Sequence, residues 1–472
     1  MPNSKIDQVC IEMLREVKPG PAERAKLSAS VSKVIDRLKN QILQLGIGAY
    51  PELEGSVAHG TWISGVRDID VFIIFPLQTP LDQIKKTGLE LGKQVSDGNW
   101  RERYAEHPFI EAVIDDYRID IVPCYRISKF SERVTSVDRT PLHTEYLAKR
   151  LTDKERDETI LLKAFMKGIG VYGAELRVKG FSGYLCELLT LHYGSLEQVL
   201  RGVLRWKTRE VIDIEQHYSD SDTLAEVFGE PLIVVDPIDP TRNVAAAVSA
   251  DRIAEIKAAA RFFLSDPSAL FFRPPKMKPL SNSRLGEIIR DRGTDSLFIQ
   301  LPCRNISPDI VWGELGKSLK AIKRLLELQD FQVMSCDVWS NENDLAVMAI
   351  ELMSASLPSV KIHEGPTAGN PNQGKFLEAH AHSEKTLAGP WIKDGEWQVE
   401  LKRDHVNAKK MVEGKLAKEE PTAIGLSKDV GKWIKEGGKV LLNEEILPTY
   451  SADEGFAVFL TKFYGKRPSW LR

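Results

Sequence analysis

The chain has 472 residues, 42% of them hydrophobic and 28% charged, with 64 Lys and Arg against 67 Asp and Glu and a net charge of −3. At about 150 residues per domain this length suggests roughly three domains with sizeable cores, and the balanced charge argues against a non-specific coat on nucleic acid while leaving room for a local basic face. Five widely spaced cysteines (Cys10, Cys124, Cys186, Cys303 and Cys336) with no C-x-x-C argue against a disulfide framework or zinc knuckle and fit reduced thiols in a cytoplasm.

Met1–Lys18 lacks a signal-peptide core, and no stretch reaches the roughly 18 apolar residues of a membrane span. Leu27, Val31, Val34, Ile35, Leu38 and Ile42 recur at helical spacing, so a helix is predicted from Pro21 to Leu45, opened by the proline and closed by Gly46. Gly55-Ser56-Val57-Ala58-His59-Gly60 reads as a loop. The apolar run Ile69–Phe75 reads as a buried strand ended by Pro76. A second helix covers Leu81–Val95. Strands at Ile110–Ile114 and Arg118–Val122 follow, joined at Asp115-Asp116, a hairpin turn signal. This order gives a small mixed α/β domain ending near Ser136.

From 137 to about 265 the pattern is helical, clearest at Glu155–Lys167, Gly183–Tyr193 and Leu196–Val203. Phe272-Arg273-Pro274-Pro275-Lys276 punctuates the chain. Beyond it a strand (Asp295–Pro302), a helix (Gly316–Leu328) and two strands (Gln332–Val338, Ala346–Met353) resemble half of a ferredoxin-like domain. Gly365–Gly374 reads as a loop. The remainder returns to helix and strand and closes on the basic, aromatic segment Lys462–Arg472.

The chemistry concentrates in Gly55-Ser56, an eleven-residue gap, and Asp68-Ile69-Asp70. Residues i and i+2 of a strand share a face, so two carboxylates stand side by side while Val71, Ile73 and Phe75 turn to the core. Such like charges are costly unless a cation sits between them, and Mg²⁺ favours one or two carboxylates plus phosphates and water. Asp120, inside the apolar strand Tyr117–Pro123, supplies a third carboxylate and completes a two-metal site for phosphoryl transfer. Glycine at 55 lets backbone approach a phosphate, to which the Ser56 hydroxyl and nearby amides donate. Asp-x-Asp alone is weak; the spaced Gly-Ser and the later strand acid make the pattern specific. Asp115-Asp116 reads instead as a solvent-facing turn.

Gly55-Ser56 with Asp68-Ile69-Asp70 resembles the polymerase-β-like nucleotidyltransferase superfamily. The strings at 60–62, 68–76, 103–108, 120–125, 137–141, 172–175, 179–189 and 236–246 resemble the archaeal-type CCA-adding enzymes, densely over residues 50 to 250. The resemblance implies an α+β multidomain protein: a polymerase-β-like nucleotidyltransferase head (1–138), a helical neck (139–265), a ferredoxin/RRM-like RNA-binding body (266–320 and 405–472) and an α/β tail (321–404). It implies addition of C, C and A to the 3′ end of tRNA lacking all or part of its CCA, from CTP and ATP, with two Mg²⁺ ions, and a homodimer. Metal ligands fall on Asp68, Asp70 and Asp120; nucleotide contacts fall on Ser56, His143, Lys163 and Tyr172; Arg242 falls where an arginine helps recognise the incoming base. One position departs: His59 stands where the family often has arginine, which puts a triphosphate contact there in question. Poly(A) polymerases and oligoadenylate synthetase-like proteins share the acid triad, and an RNA-binding adaptor with an inactive head is a further alternative.

Other residues have plainer readings beside the functional ones. Lys163 on a periodic helix reads by itself as a solvated face, and His143 as a helix-start residue. Arg205-Trp206-Lys207-Thr208-Arg209 interleaves bases and an aromatic, as RNA surfaces do and as amphipathic helices also do. Lys466-Arg467-Pro468-Ser469-Trp470 reads as a similar surface or a frayed end. Glu106-His107-Pro108 reads as a structural loop or a contact to the RNA end, and His380-Ala381-His382 lacks the partners of a metal site.

Overall fold

The computed structural model describes residues 4–471 apart from 66, 105–106, 220–223, 225–226, 305–307 and 419. The chain divides into one unit of Met1–Lys276 with Pro468–Arg472, and a second of Met277–Arg467.

In the first unit, helix α1 (Lys5–Val17) opens on a capping box between Ser4 and Asp7. Helix α2 (Pro21–Leu45) carries its proline in the first turn, where a missing N–H costs nothing, and ends at Gly46 with φ 65°. Both limits agree with the spacing of its apolar stripe. A five-stranded sheet follows, made of β1 (Tyr50–Glu54), β2 (Asp68–Phe75), β3 (Trp100–Tyr104), β4 (Pro108–Ile114) and β5 (Tyr117–Tyr125), in the order β1-β2-β5-β4-β3. The pair β2–β5 is parallel and the other pairs are antiparallel. Alternation on β2 sends Ile69, Val71, Ile73 and Phe75 into a core shared with α2 and with α4 (Leu81–Val95). Asp115 and Asp116 both have positive φ, 51° and 69°, as the two-residue turn between β4 and β5 requires. The periodicity did not expose β1 and β3, which are short and mixed in polarity.

The helical part comprises α5 (Thr140–Arg150), α6 (Asp153–Gly168), α7 (Gly183–Tyr193), α8 (Leu196–Val203) and the helix Ala250–Ser265, around a separate apolar core. Two short parallel strands, β6 (Glu210–Ile212) and β7 (Leu232–Val234), lead into the turn at 236–242. Trp206 belongs to this core: it is buried and donates through Nε1 to the Tyr193 hydroxyl at 2.9 Å. Trp470 also packs in, with ring centroids 5.6 Å from Phe271. Of the two readings open for each of these segments, the burial of Trp206 and Trp470 favours core packing over an RNA-facing ring.

In the second unit, β8 (Asp295–Pro302), β9 (Val333–Ser340), β10 (Leu345–Leu352) and β14 (Lys439–Leu442) form an antiparallel sheet in the order β14-β8-β10-β9, with an apolar core on each face. This corrects the expected boundary at 320/321: β9 and β10 hydrogen-bond within the sheet of β8, so they belong to the body. Only β11 (Val360–Thr367), β12 (Thr386–Lys393) and β13 (Glu396–Lys402), in a sheet of their own with the helix Gln373–His380, stand as a tail. The segment Pro468–Arg472 likewise joins the first unit, not the body. Among the described residues no helix is long and apolar enough to cross a membrane.

Helix α4 meets the sheet through two glycines. A Cβ on Gly88 would collide with the Pro123 ring, and one on Gly92 would lie 2.8 Å from Ile110 Cγ1. Gly88→Ala gains helix propensity of about 1 kcal/mol, but overpacking against a rigid ring costs about 1–3 kcal/mol. The expected net effect is destabilisation, read as a lower urea midpoint; an unchanged or higher midpoint would refute this packing argument.

Candidate active site

The strand register does what the spacing of the acids only hinted at. Asp70 on β2 lies directly opposite Asp120 on β5, and Asp68 lies opposite Arg118. On the outer sides, Glu54 of β1 faces Asp70 and Glu111 of β4 faces Asp120. A row of four carboxylates thus runs across the sheet on one face, at the roughly 4.8 Å spacing of adjacent strands. Glu111 is paired with Arg103 at 3.0 Å. Asp68 Oδ1 meets Arg118 Nη2 at 2.8 Å.

Burial, reinforced by the Asp68 charge, pushes Asp70 up to about 6. Burial with the Asp70 charge pushes Asp120 up to about 7, and Asp120 Oδ1 is buried with no hydrogen-bond partner. Two half-buried carboxylates facing each other, with one buried oxygen unsatisfied, form an all-oxygen, electron-rich position that fits a hard divalent cation. Among the described residues no three His, Cys, Asp or Glu side chains already stand in ligating array; Asp68 is held aside by Arg118.

Gly55-Ser56 is not a loop but the first turn of a short helix, α3 (Gly55–His59). Gly55 has φ 69°, and a Cβ there would collide with Asp70 Oδ2. The glycine therefore lets α3 begin directly over β2. The helix is closed by Thr61 N–H donating to Ser56 O at 2.9 Å.

A cavity of 510 Å³ gathers Gly55, Ser56, His59, Asp70, His143, Lys163, Tyr172 and Arg242. Lys163 is not on a solvated face: it is buried, and Nζ donates to Glu187 Oε1 and Thr61 Oγ1, each at 2.9 Å. His59 is committed on both sides, with Nδ1 3.1 Å from Glu187 Oε2 and Nε2 3.0 Å from Thr144 Oγ1. Burial alone would push Glu187 up, but Lys163, His59 and the Thr61 hydroxyl outweigh it and hold the carboxyl at about 2. Tyr172 lines the cavity with its hydroxyl beside Gly183, its phenol raised by burial.

His143 and Arg242, 99 positions apart in the chain, meet on one carboxylate. Asp236 accepts from Arg242 Nη1 at 2.8 Å and approaches His143 Nε2 at 3.0 Å, while Tyr184 stacks on the imidazole at 4.3 Å. Burial pulls His143 below the ordinary imidazole range, against the opposing pull of Asp236. Asp236 itself is held well below the carboxylate range: burial raises it, but His143, the Ile238 amide and Arg242 prevail.

Sequence reasoning missed Glu54, Arg118, Glu187 and Asp236. Arg118 shares the i, i+2 face of Asp120 and was findable; Glu187 and Asp236 carry no local signal of burial. Glu106 lies outside the described residues, and His107 beside it is buried. His380 packs against Phe376 and His363, with ring centroids 4.6 and 5.2 Å away.

Three family models match the chain in order: a nucleotidyltransferase domain at residues 35–143, a tRNA nucleotidyltransferase second domain at 157–273, and a CCA-adding enzyme C-terminal domain at 292–443. The chain is 36% identical over 455 residues to the CCA-adding enzyme of Methanothermobacter thermautotrophicus, covering 96% of each. It is 40% identical over 385 residues to that of Halobacterium salinarum, covering 81% of this chain and 83% of the relative. Among solved structures, a Cid1 poly(U) polymerase bound to Mg 3′-dATP superposes with a TM-score of 0.46 at 16% identity, over 56% of this chain and 98% of its own.

Two outcomes follow from this geometry. Gly55→Ala must displace either α3 or the Asp70 carboxyl and is expected to lower kcat/KM at least 100-fold, on the order of 3 kcal/mol; a wild-type kcat/KM would refute the wedge. Asp70 and Asp120 keep protons in the folded, metal-free chain that the unfolded chain has released above about pH 4. Their contribution to stability is therefore full below that pH and is lost as pH rises through about 6 and 7. Mg²⁺ should accordingly raise the melting temperature more at pH 8 than at pH 5. Asp120→Asn should raise the metal-free melting temperature at pH 8, and a lowered one would sink the argument.

Proposed function

Because the chain belongs to the archaeal-type CCA-adding enzymes and adds C, C and A to the 3′ end of tRNA, we propose that it does so through the cavity over β2 and β5, with CTP and ATP as donors and Asp68, Asp70 and Asp120 as the metal-holding acids. The observation that carries this reading is the Asp70–Asp120 register with its unsatisfied Asp120 oxygen. Two Mg²⁺ ions held there would lower the pKa of the attacking 3′-hydroxyl and neutralise the triphosphate.

The protein's own groups do the rest by positioning. The reaction joins the RNA 3′-oxygen to the α-phosphorus, breaks the bond to pyrophosphate and releases the hydroxyl proton. Ser56 and the first amides of α3 face the cavity beside Asp70 and donate to phosphate oxygens. Tyr172 supplies a phenolic donor, and Lys163 a positive charge for the triphosphate. Asp68, which Arg118 holds at 2.8 Å, would complete the acid set around a bound cation.

Base choice falls to Arg242, which Asp236 holds at the cavity wall. Cytosine and adenine both offer a ring-nitrogen acceptor next to an exocyclic amine; uracil and guanine offer an N–H there. A fixed guanidinium donor facing that atom therefore favours C and A without a template. His143, stacked on Tyr184 and tied to the same Asp236, keeps this arm rigid.

The direct test incubates the protein with Mg²⁺, CTP, ATP and a tRNA transcript lacking its terminal CCA, and sequences the product ends. Defined CCA ends are expected; a homopolymeric A tail would indicate poly(A) polymerase chemistry instead. Asp70→Ala is expected to abolish incorporation. Arg242→Ala is expected to lower the preference of CTP over UTP by about 10–100-fold while the mutant still extends, and unchanged preference would remove Arg242 from base selection.

A further inference from the structure

The row of acids includes one that no motif assigns. Glu54, the last residue of β1, is fully buried opposite Asp70, and its Oε1 has no hydrogen-bond partner. Its Oε2 accepts from the Thr144 hydroxyl on α5. The same Thr144 oxygen lies 3.0 Å from His59 Nε2. On the other side of the ring, Glu187 takes Nδ1, and Glu187 also anchors Lys163 and Thr61. One polar chain therefore runs Glu54–Thr144–His59–Glu187–Lys163, from the catalytic sheet through α5 and α3 to α7 and α6.

His59 is the last residue of α3, whose first residues, Gly55-Ser56, sit against Asp70. Its carbonyl is also held, by Arg156 Nε at 3.0 Å. With both ring nitrogens committed, His59 acts as a bolt on α3. An apolar residue at 54 or 144 would release the Nε2 side of the ring, and the helix bearing Ser56 would lose one of its far anchors.

We infer that Glu54 and Thr144 are positioning residues for nucleotide binding: by orienting His59 they fix α3, and with it Ser56, over the catalytic strand. The inference rests on the reading of this cavity as the nucleotide site. A grip made equally in ground and transition states changes KM and leaves kcat alone. Loss of stability alone would lower the melting temperature and leave the KM of the folded fraction unchanged.

The experiment measures KM and kcat for CTP in tRNA extension, and CTP affinity by calorimetry, for Glu54→Leu, Glu54→Gln, Thr144→Val, Thr144→Ser and the double variant Glu54→Leu/Thr144→Val. Glu54→Leu and Thr144→Val are each expected to raise KM and the CTP dissociation constant about tenfold, with kcat within about twofold. The double variant should be no worse than either single one, because both cut the same chain. Glu54→Gln and Thr144→Ser, which keep the carbonyl and the hydroxyl, should recover most of the loss. Should Glu54→Leu fail to fold, Thr144→Val carries the same test. Unchanged CTP affinity in Thr144→Val, or additive losses in the double variant, would overturn the inference. A wild-type protein that binds CTP but leaves tRNA unextended would count against the proposed use of the cavity, while the affinities would still decide the role of Glu54.

Discussion

Two carboxylates facing each other across a parallel strand pair are the constraint around which the first unit is arranged. Asp70 and Asp120 are pressed together by hydrogen-bond register, with burial raising both. Neither can relax away without breaking a strand whose other face is core. That repulsion is tolerable only with a proton or a cation between the acids, so the fold stores an appetite for metal at one point of its surface. The glycine at 55 brings the first turn of α3 to the same point, where a Cβ would strike Asp70 Oδ2.

The second organising element is the pair of buried anions in the helical part. Glu187 and Asp236 each collect several donors: Lys163, His59 and Thr61 on one, Arg242, His143 and backbone amides on the other. A buried carboxylate is costly unless so surrounded, and once surrounded it fixes its donors. Residues from α3, α5, α6 and the 236–242 turn thereby acquire definite positions around one cavity. Lys163 and Arg242 are thereby pre-oriented rather than free to search, which is what a reaction dependent on positioning needs.

This arrangement also explains the histidine at 59. The imidazole closes a chain between Glu187 and Thr144. The local consequence is a helix held by its last residue in place of a flexible charged arm. In the second unit the same economy is visible at Glu351, buried within β10, where Arg292, Lys466, Ser335 and Thr294 converge and hold the carboxyl at about 2 against the effect of burial.

The sequence by itself determined the elements whose chemistry is local. The stripe and caps of α2, the strand Asp68–Phe75, the Asp-Asp turn, the helices of the neck and the acids at 68, 70 and 120 could all be read from spacing, because side-chain periodicity and φ preferences act within a few residues. Resemblance carried His143, Lys163, Tyr172 and Arg242, whose spacing alone implied a solvated lysine and a helix-start histidine. Tertiary structure decided what depends on partners distant in the chain. It placed Asp70 opposite Asp120 and paired Asp68 with Arg118. It drew Lys163 inward onto Glu187, brought His143 and Arg242 to Asp236, and moved β9 and β10 into the body sheet. Strand register, burial and ion pairing are set by which surfaces meet, and no window of sequence contains both halves of such a contact.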